Sequence, residues 1–332
     1  MPALLIGPDE RIVVGNEGAR RLFGQGIRGR NYITVMRQPA LLDATETVLR
    51  LGRPSTALYQ TTEARRDMTW NVSISPVQIG ASAHVLVVFE DRTEMREAGK
   101  MRRDFVANVS HELRTPLTAL LGFIETLRGA ARDDPEAQDR FLGIMEREAG
   151  RMNRLVRDLL SLSRVEADER VRPTGEVELS GLIQGVVSTL QPLANEVGIE
   201  VELAGLESPH PILGDADQLS QVFTNLIENA LKYSGHGGKV RVTLRAEATN
   251  ELLRAPAVTV SVSDTGDGID PLHIPRLTER FYRVDSHRSR EMGGTGLGLA
   301  IVKHIVNRHR GRLKIESAPG QGSRFSVTLP SH

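Results

Sequence analysis

The residues best equipped for chemistry lie in one run, Phe105-Val106-Ala107-Asn108-Val109-Ser110-His111-Glu112-Leu113-Arg114-Thr115-Pro116-Leu117. Val109 and Leu113 stand at core positions of a helix, which turns His111, between them, roughly 180° away toward solvent. An exposed imidazole can attack through one nitrogen if the other is held, and the adjoining Glu112 can orient the ring or accept its proton. Pro116 falls inside the same helix, where it removes an amide donor and clashes with the carbonyl of Glu112, costing about 3 kcal/mol or more. A purely structural bundle has no reason to carry that cost, whereas a bend just after the histidine suits a two-state switch. The plainer alternative, a surface histidine on a bundle, leaves Glu112 and Pro116 unexplained.

A second set of chemical residues follows in four separate motifs. In Gln221-Val222-Phe223-Thr224-Asn225-Leu226-Ile227-Glu228-Asn229-Ala230-Leu231-Lys232-Tyr233-Ser234, Asn225 and Asn229 share a helix face. Their side-chain oxygens can share a Mg²⁺. Lys232 can meet phosphates as a point charge, and Tyr233 offers a ring for adenine. Asp264-Thr265-Gly266-Asp267-Gly268-Ile269 follows a strand, so Asp264 can accept from an adenine amino group. Gly266 and Gly268 would let the backbone approach the base. Glu279-Arg280-Phe281-Tyr282-Arg283-Val284-Asp285 supplies Arg283 as a cation for a terminal phosphate. Ser286 to Met292 is polar and basic, the composition of a lid ordered by nucleotide. Gly293-Gly294-Thr295-Gly296-Leu297-Gly298-Leu299 opens a helix, and amides at a helix start make a phosphate cradle. Taken singly, buried asparagines, an Asp-rich turn, a solvated loop and a Gly-rich stretch are ordinary features. The last is neither a Walker pattern, lacking Gly-Lys-Ser/Thr, nor a dinucleotide fingerprint, lacking a preceding strand.

Positioning these groups takes three kinds of segment. Residues 1–95 read as strand, strand, helix, a loop-rich middle, then strands Thr69–Ile74 and Ala83–Phe89 joined by a turn with Pro76 and Gly80. Residues 96–170 are helical and charged. One apolar stripe runs Val106, Val109, Leu113, Leu120, Ile124 and Leu127; after a break at Gly129–Pro135 another runs Phe141, Met145, Met152, Leu155, Leu159 and Leu162. Such an antiparallel helical hairpin cannot bury both stripes alone, so a dimeric four-helix bundle, and hence a homodimer, is expected. Residues 175–332 alternate strands (Ile199–Leu203, Lys239–Leu244, Val258–Val262, Arg312–Glu316, Arg324–Leu329) with helices (Ser180–Glu196, Ala216–Lys232, Gly296–Arg308). That pattern is an α/β sandwich, with helices on one face of a sheet.

Composition narrows the function classes. Lys plus Arg and Asp plus Glu number 42 each, so no overall charge points to nucleic acid as a partner. Cysteine is absent, which excludes disulfides, thiolate metal sites and thiol nucleophiles. No run approaches the ~20 apolar residues of a membrane span. A cytoplasmic chain is expected as it stands, with membrane helices upstream in a longer parent protein also compatible.

The run around His111 resembles the phospho-acceptor motif of histidine kinases, in its His-Glu-x-x-Thr-Pro form. The four later motifs resemble the ATP-binding (Bergerat-type) domain that these kinases share with type II topoisomerases, mismatch-repair ATPases and a heat-shock chaperone. Asp267 departs mildly from the family pattern by adding negative charge. The strand order of residues 1–95, ending in Asp91-Arg92-Thr93, resembles a PAS sensor domain. The whole arrangement looks most like the phosphate-regulon sensor kinases. The resemblance implies a multidomain, dimeric sensor kinase using ATP and Mg²⁺, in which His111 takes the phosphoryl group and a response-regulator receiver domain accepts it. Glu112 and Thr115 stand where the family's residues for dephosphorylating the regulator stand. The hydrolysing relatives carry glutamate where Asn225 stands, which leaves the phosphoryl group here for another acceptor. A catalytically silent dimeric nucleotide-binding scaffold is the alternative; it calls for degenerate motifs, and none occurs. The segment Glu94–Asp104, with Met95, Ala98 and Met101 as a thin stripe, is expected to carry the signal from sensor to hairpin by rotation or tilt.

Overall fold

The computed structural model describes residues 1–63, 66–169, 171–251, 253–284 and 294–331. By internal contacts the chain divides into two units, Met1–Val109 and Ser110–His332.

In the first unit, β1 (Ala3–Ile6) and β2 (Ile12–Gly15) precede three helices: α1 (Glu17–Phe23), α2 (Tyr32–Met36) and α3 (Pro39–Leu51). Strands β3 (Ser55–Glu63), β4 (Arg66–Ile79) and β5 (Ser82–Asp91) complete an antiparallel sheet of order β2-β1-β5-β4-β3. Asn16 caps α1 by accepting the Ala19 amide at 2.9 Å, and Asn31 caps α2 through the Ile33 amide. Leu4, Ile6, Val72, Ile74, Val85, Val87 and Phe89 form the buried sheet face, covered by Leu41 and Val48 of α3.

Two sequence expectations need correction. The loop-rich middle holds α2, α3 and β3; β3 is an edge strand with Ala57 and Tyr59 half-buried on its inner face and the exposed Leu58 between them, which breaks the apolar–polar alternation. Pro76 is not in the turn but inside β4, opposite Val85. It is tolerated because β3 pairs β4 only as far as Ile74, so Pro76 sits where β4 has a free edge. The turn lies at Gly80 and Ala81.

Helix α4 (Thr93–Arg128) begins in the first unit and continues in the second; α5 (Pro135–Asp168) follows, capped by Asp134. Glu112 meets Arg151, and Phe123 stacks on Phe141 at 5.4 Å, so the two helices run antiparallel. Leu155, Leu162 and Val165 are buried, but Val106, Leu117, Leu121, Ile124, Leu142, Val156 and Leu160 are exposed.

The remainder builds a five-stranded mixed sheet. Its members are β7 (Glu200–Ala204), β9 (Lys239–Asn250), β10 (Ala255–Asp264), β11 (Arg312–Ser317) and β12 (Ser323–Pro330), in the order β11-β12-β10-β9-β7. The β7–β9 pair is parallel and the others antiparallel. Val240, Val242, Val258, Val260, Val262 and Val327 alternate onto one buried face. There α6 (Leu179–Val197), α7 (Ala216–Tyr233) and α8 (Gly298–Arg308) pack. A two-stranded sheet, β6 (Gly175–Glu178) with β8 (Pro211–Gly214), was not expected from sequence, since strands of four residues carry too little pattern. No helix among the described residues is long and apolar enough to cross a membrane.

Candidate active site

Helix α7 carries the first group of site residues. Leu219, Val222, Phe223, Leu226, Ile227 and Ala230 recur at helical spacing and are buried, which leaves Asn225, Asn229 and Lys232 along the helix edge. Asp215 caps the helix through the Gln218 amide at 3.2 Å. Asn225, Asn229, Lys232 and Tyr233 all line one cavity of about 680 Å³, together with Asp264, Gly268, Arg283, Gly294, Thr295, Gly296 and Gly298. All four sequence motifs, spread over about 70 residues, therefore converge on a single concave surface. The lid stretch Ser286–Met292, with Asp285 and Gly293, lies outside the described residues.

Asp264 ends β10. Burial pushes its carboxyl above the ordinary range, while the Gly266 and Ser323 amides, both bonded to Oδ1 at 2.9 and 3.2 Å, act in the opposite sense. Oδ2 is the oxygen left for a ligand donor. The glycines beside it also make room for the protein's own backbone. A Cβ on Gly266 would meet the Tyr233 carbonyl oxygen at 2.1 Å, and one on Gly268, whose φ is +70°, the Ala318 carbonyl oxygen at 1.9 Å. They let the loop pack against the protein's own backbone, which fixes Asp264 at the cavity wall.

At the phosphate-cradle motif, α8 begins at Gly298, two residues later than expected. Leu297 precedes it with no side-chain cap, and a Cβ on Gly298 would stand 3.4 Å from Asn225 Oδ1. Asn225 Nδ2 is buried without a partner. The Asn225 amide thus turns its oxygen toward the glycine that opens α8 and leaves its nitrogen as a buried donor that a phosphate oxygen would complete. Among the described residues no cluster of carboxylates or histidines is arranged to hold a metal alone. A cation at Asn225 and Asn229 would thus need oxygens from a bound nucleotide as well. The residues fit a magnesium nucleotide in that sense.

His111 is exposed on α4, and Thr115 donates its hydroxyl to the His111 carbonyl at 3.2 Å. Pro116 is buried. Glu112 departs from expectation: its described partners are Arg151 at 2.9 Å and Arg283 at 3.3 Å, both on Oε2, rather than the His111 ring. Arg283, whose side chain is 8% exposed, also lines the cavity. Lys232 is held by Glu228 at 3.1 Å.

Sequence reasoning missed a further residue. Buried His309, just after α8, accepts the Asp215 amide on Nε2 at 3.0 Å, and its Nδ1 donates to the Ile305 carbonyl at 2.8 Å. That pairing requires the neutral ring. His309 thereby ties the cap of α7, which carries both asparagines, to the end of α8. No local pattern signals it, because its partner is 94 residues away.

Two family models match this chain. Residues 101–168 match the His Kinase A (phospho-acceptor) domain, and residues 214–332 match the histidine kinase-, DNA gyrase B- and HSP90-like ATPase. The chain belongs to the sensor histidine kinases. Among kinases of this family it is 42% identical to the phosphate regulon sensor protein PhoR of Pseudomonas aeruginosa, over 74% of this chain and 54% of that protein. It is 36% identical to the sensor-like histidine kinase SenX3 of Mycolicibacterium smegmatis, over 74% of this chain and 62% of that protein. The chain spans about half the length of the curated relatives it matches. Among solved kinase structures it resembles histidine kinase ThkA in complex with response regulator protein TrrA. That likeness has a TM-score of 0.56 at 25% identity and covers 100% of this chain and 96% of that one.

Proposed function

We propose that the chain is a protein-histidine kinase that phosphorylates its own His111 from ATP and passes the group to an aspartate of a response-regulator receiver domain. The observation that carries this reading is the Arg283–Glu112 contact. A residue of the cavity wall is bonded to the neighbour of an exposed histidine on another element. Bound ATP with Mg²⁺ would supply the phosphoryl group and part of the charge neutralisation. Asn225 and Asn229 would hold the cation, Lys232 and Arg283 the phosphates, and Asp264 and Tyr233 the adenine. Gly294, Thr295, Gly296, Leu297 and Gly298 would offer backbone amides at the start of α8. Asn225, unlike a glutamate, has no basic oxygen to aim at water, which favours transfer over hydrolysis.

Residues 1–95 are read as a PAS-like sensor, supported by the five-stranded antiparallel sheet with helices inserted after its second strand. The exposed apolar residues of α4 and α5 support a homodimer through a four-helix bundle. A receiver-domain partner is supported by the regulator bound in the ThkA structure. Glu112 and Thr115 are assigned to dephosphorylation of that partner.

Incubation with γ-labelled ATP and Mg²⁺ tests the reading. Acid-labile, base-stable label in the wild type and none in His111→Gln is expected. ATP binding without label in either protein would return the silent scaffold.

A further inference from the structure

Asp158 belongs to hairpin helix α5, yet its carboxylate lines the cavity beside Asn225, Glu228 and Lys232. Its Oδ2 accepts the Thr295 hydroxyl at 2.7 Å, and the same hydroxyl oxygen accepts the Leu297 amide at 3.3 Å. Thr295 is buried and has one hydroxyl proton, so its only side-chain donor is committed to Asp158. Thr295 lies between Gly294 and Gly296, in the turn assigned to phosphates. A carboxylate and a phosphate are both anionic acceptors and are rivals for such a donor. Other contacts hold α5 against the same lobe: Ser161 with Gln221 at 2.7 Å and Arg280 with Glu166 at 2.5 Å.

We propose that Asp158 is the hairpin's own occupant of the phosphate cradle, so that nucleotide phosphates and docked α5 compete for Thr295. This rests on reading the cavity as a nucleotide site. The groups facing Asp158 fit the role: Glu228 adds like charge, and Arg157 and Lys232 offset it. Burial also raises the Asp158 carboxyl above its ordinary range, the mark of an anion held at a cost in that position. Bound phosphates would repel Asp158, accept the Thr295 hydroxyl hydrogen bond in its place and loosen α5. Adenosine, which has no phosphate, would leave the contact intact.

Titration calorimetry on the full chain tests this with adenosine and with the magnesium complex of a non-hydrolysable ATP analogue. Asp158→Asn should bind the analogue at least about fivefold more tightly than wild type, the factor one like charge a few ångström away carries even in water. Adenosine affinity should not change. A second measurement keeps Asp158 in place. The chain has no cysteine, so a Ser161→Cys, Gln221→Cys double variant can be crosslinked by a short bismaleimide to report docking. The analogue should slow crosslinking several-fold and adenosine should not. Equal analogue affinity in wild type and Asp158→Asn, or crosslinking indifferent to the analogue, overturns the proposal and leaves the nucleotide site standing. Binding of neither adenosine nor analogue by wild type or variant removes the nucleotide reading, and this proposal with it.

Discussion

Arg283 and Glu112 are 171 positions apart in sequence, yet Arg283 Nη2 lies 3.3 Å from Glu112 Oε2. Arg151 shares that oxygen at 2.9 Å, so one carboxylate beside His111 is held by a cation from its own hairpin and another from the nucleotide lobe. Their side chains are 8% and 20% exposed, placing the pair between surface and buried ion pairs. A double-mutant cycle of Glu112→Gln with Arg283→Gln should give a coupling of about 1 to 2 kcal/mol in denaturant unfolding. Additive single effects would show that the contact contributes nothing.

His309 predicts a pH dependence. Burial, the largest influence, holds its imidazole below the ordinary value of about 6.5, so the folded chain favours the neutral ring that accepts the Asp215 amide. The unfolded chain binds the proton at higher pH than the folded chain does. The stabilisation is therefore complete above about pH 6.5 and is lost as pH falls through the lowered value. His309→Gln should flatten the melting-temperature profile between pH 5 and 7 relative to wild type. Parallel profiles would remove His309 as the titrating group.

Gly268 and Gly320 form a matched pair. Both have positive φ, but a Cβ on Gly268 meets the Ala318 oxygen at 1.9 Å, while one on Gly320 meets nothing within 4 Å. Gly320→Ala should cost only the backbone penalty of about 1 kcal/mol. Gly268→Ala adds backbone displacement and should cost roughly 3 kcal/mol or more, with loss of adenosine binding as Asp264 shifts. Equal midpoints in urea for the two variants would contradict this account of the loop.

Thr115 spends its hydroxyl on the His111 carbonyl in an exposed turn of α4. Thr115→Ala should change stability by less than about 0.5 kcal/mol. Labelling of His111 should persist while dephosphorylation of the regulator is lost. Equal loss of both activities would place Thr115 in the kinase step instead.

The second hairpin stripe, interrupted once by Glu148, and the α7 helix were legible because each otherwise repeats an apolar residue every three or four positions over several turns. Sheet strands β9, β10 and β12 were legible from alternation, although their ends ran further than the apolar core of each run. Helices α2 and α3 and strand β3 were not, since short or edge elements owe their form to the surfaces they pack against.

By itself, the sequence determined which residues have the chemistry: an exposed histidine opposite a core stripe, two asparagines on one helix face, a carboxylate after a strand. These follow from local periodicity, which acts over a few residues. Only the tertiary structure decided where Glu112 spends its charge, what Gly266 and Gly268 pack against, that Asp158 lines the cavity, and that His309 braces the helix carrying both asparagines. Those facts depend on charges and carbonyls brought within a few ångström from distant parts of the chain, and electrostatics and sterics at that range leave no periodic trace in sequence.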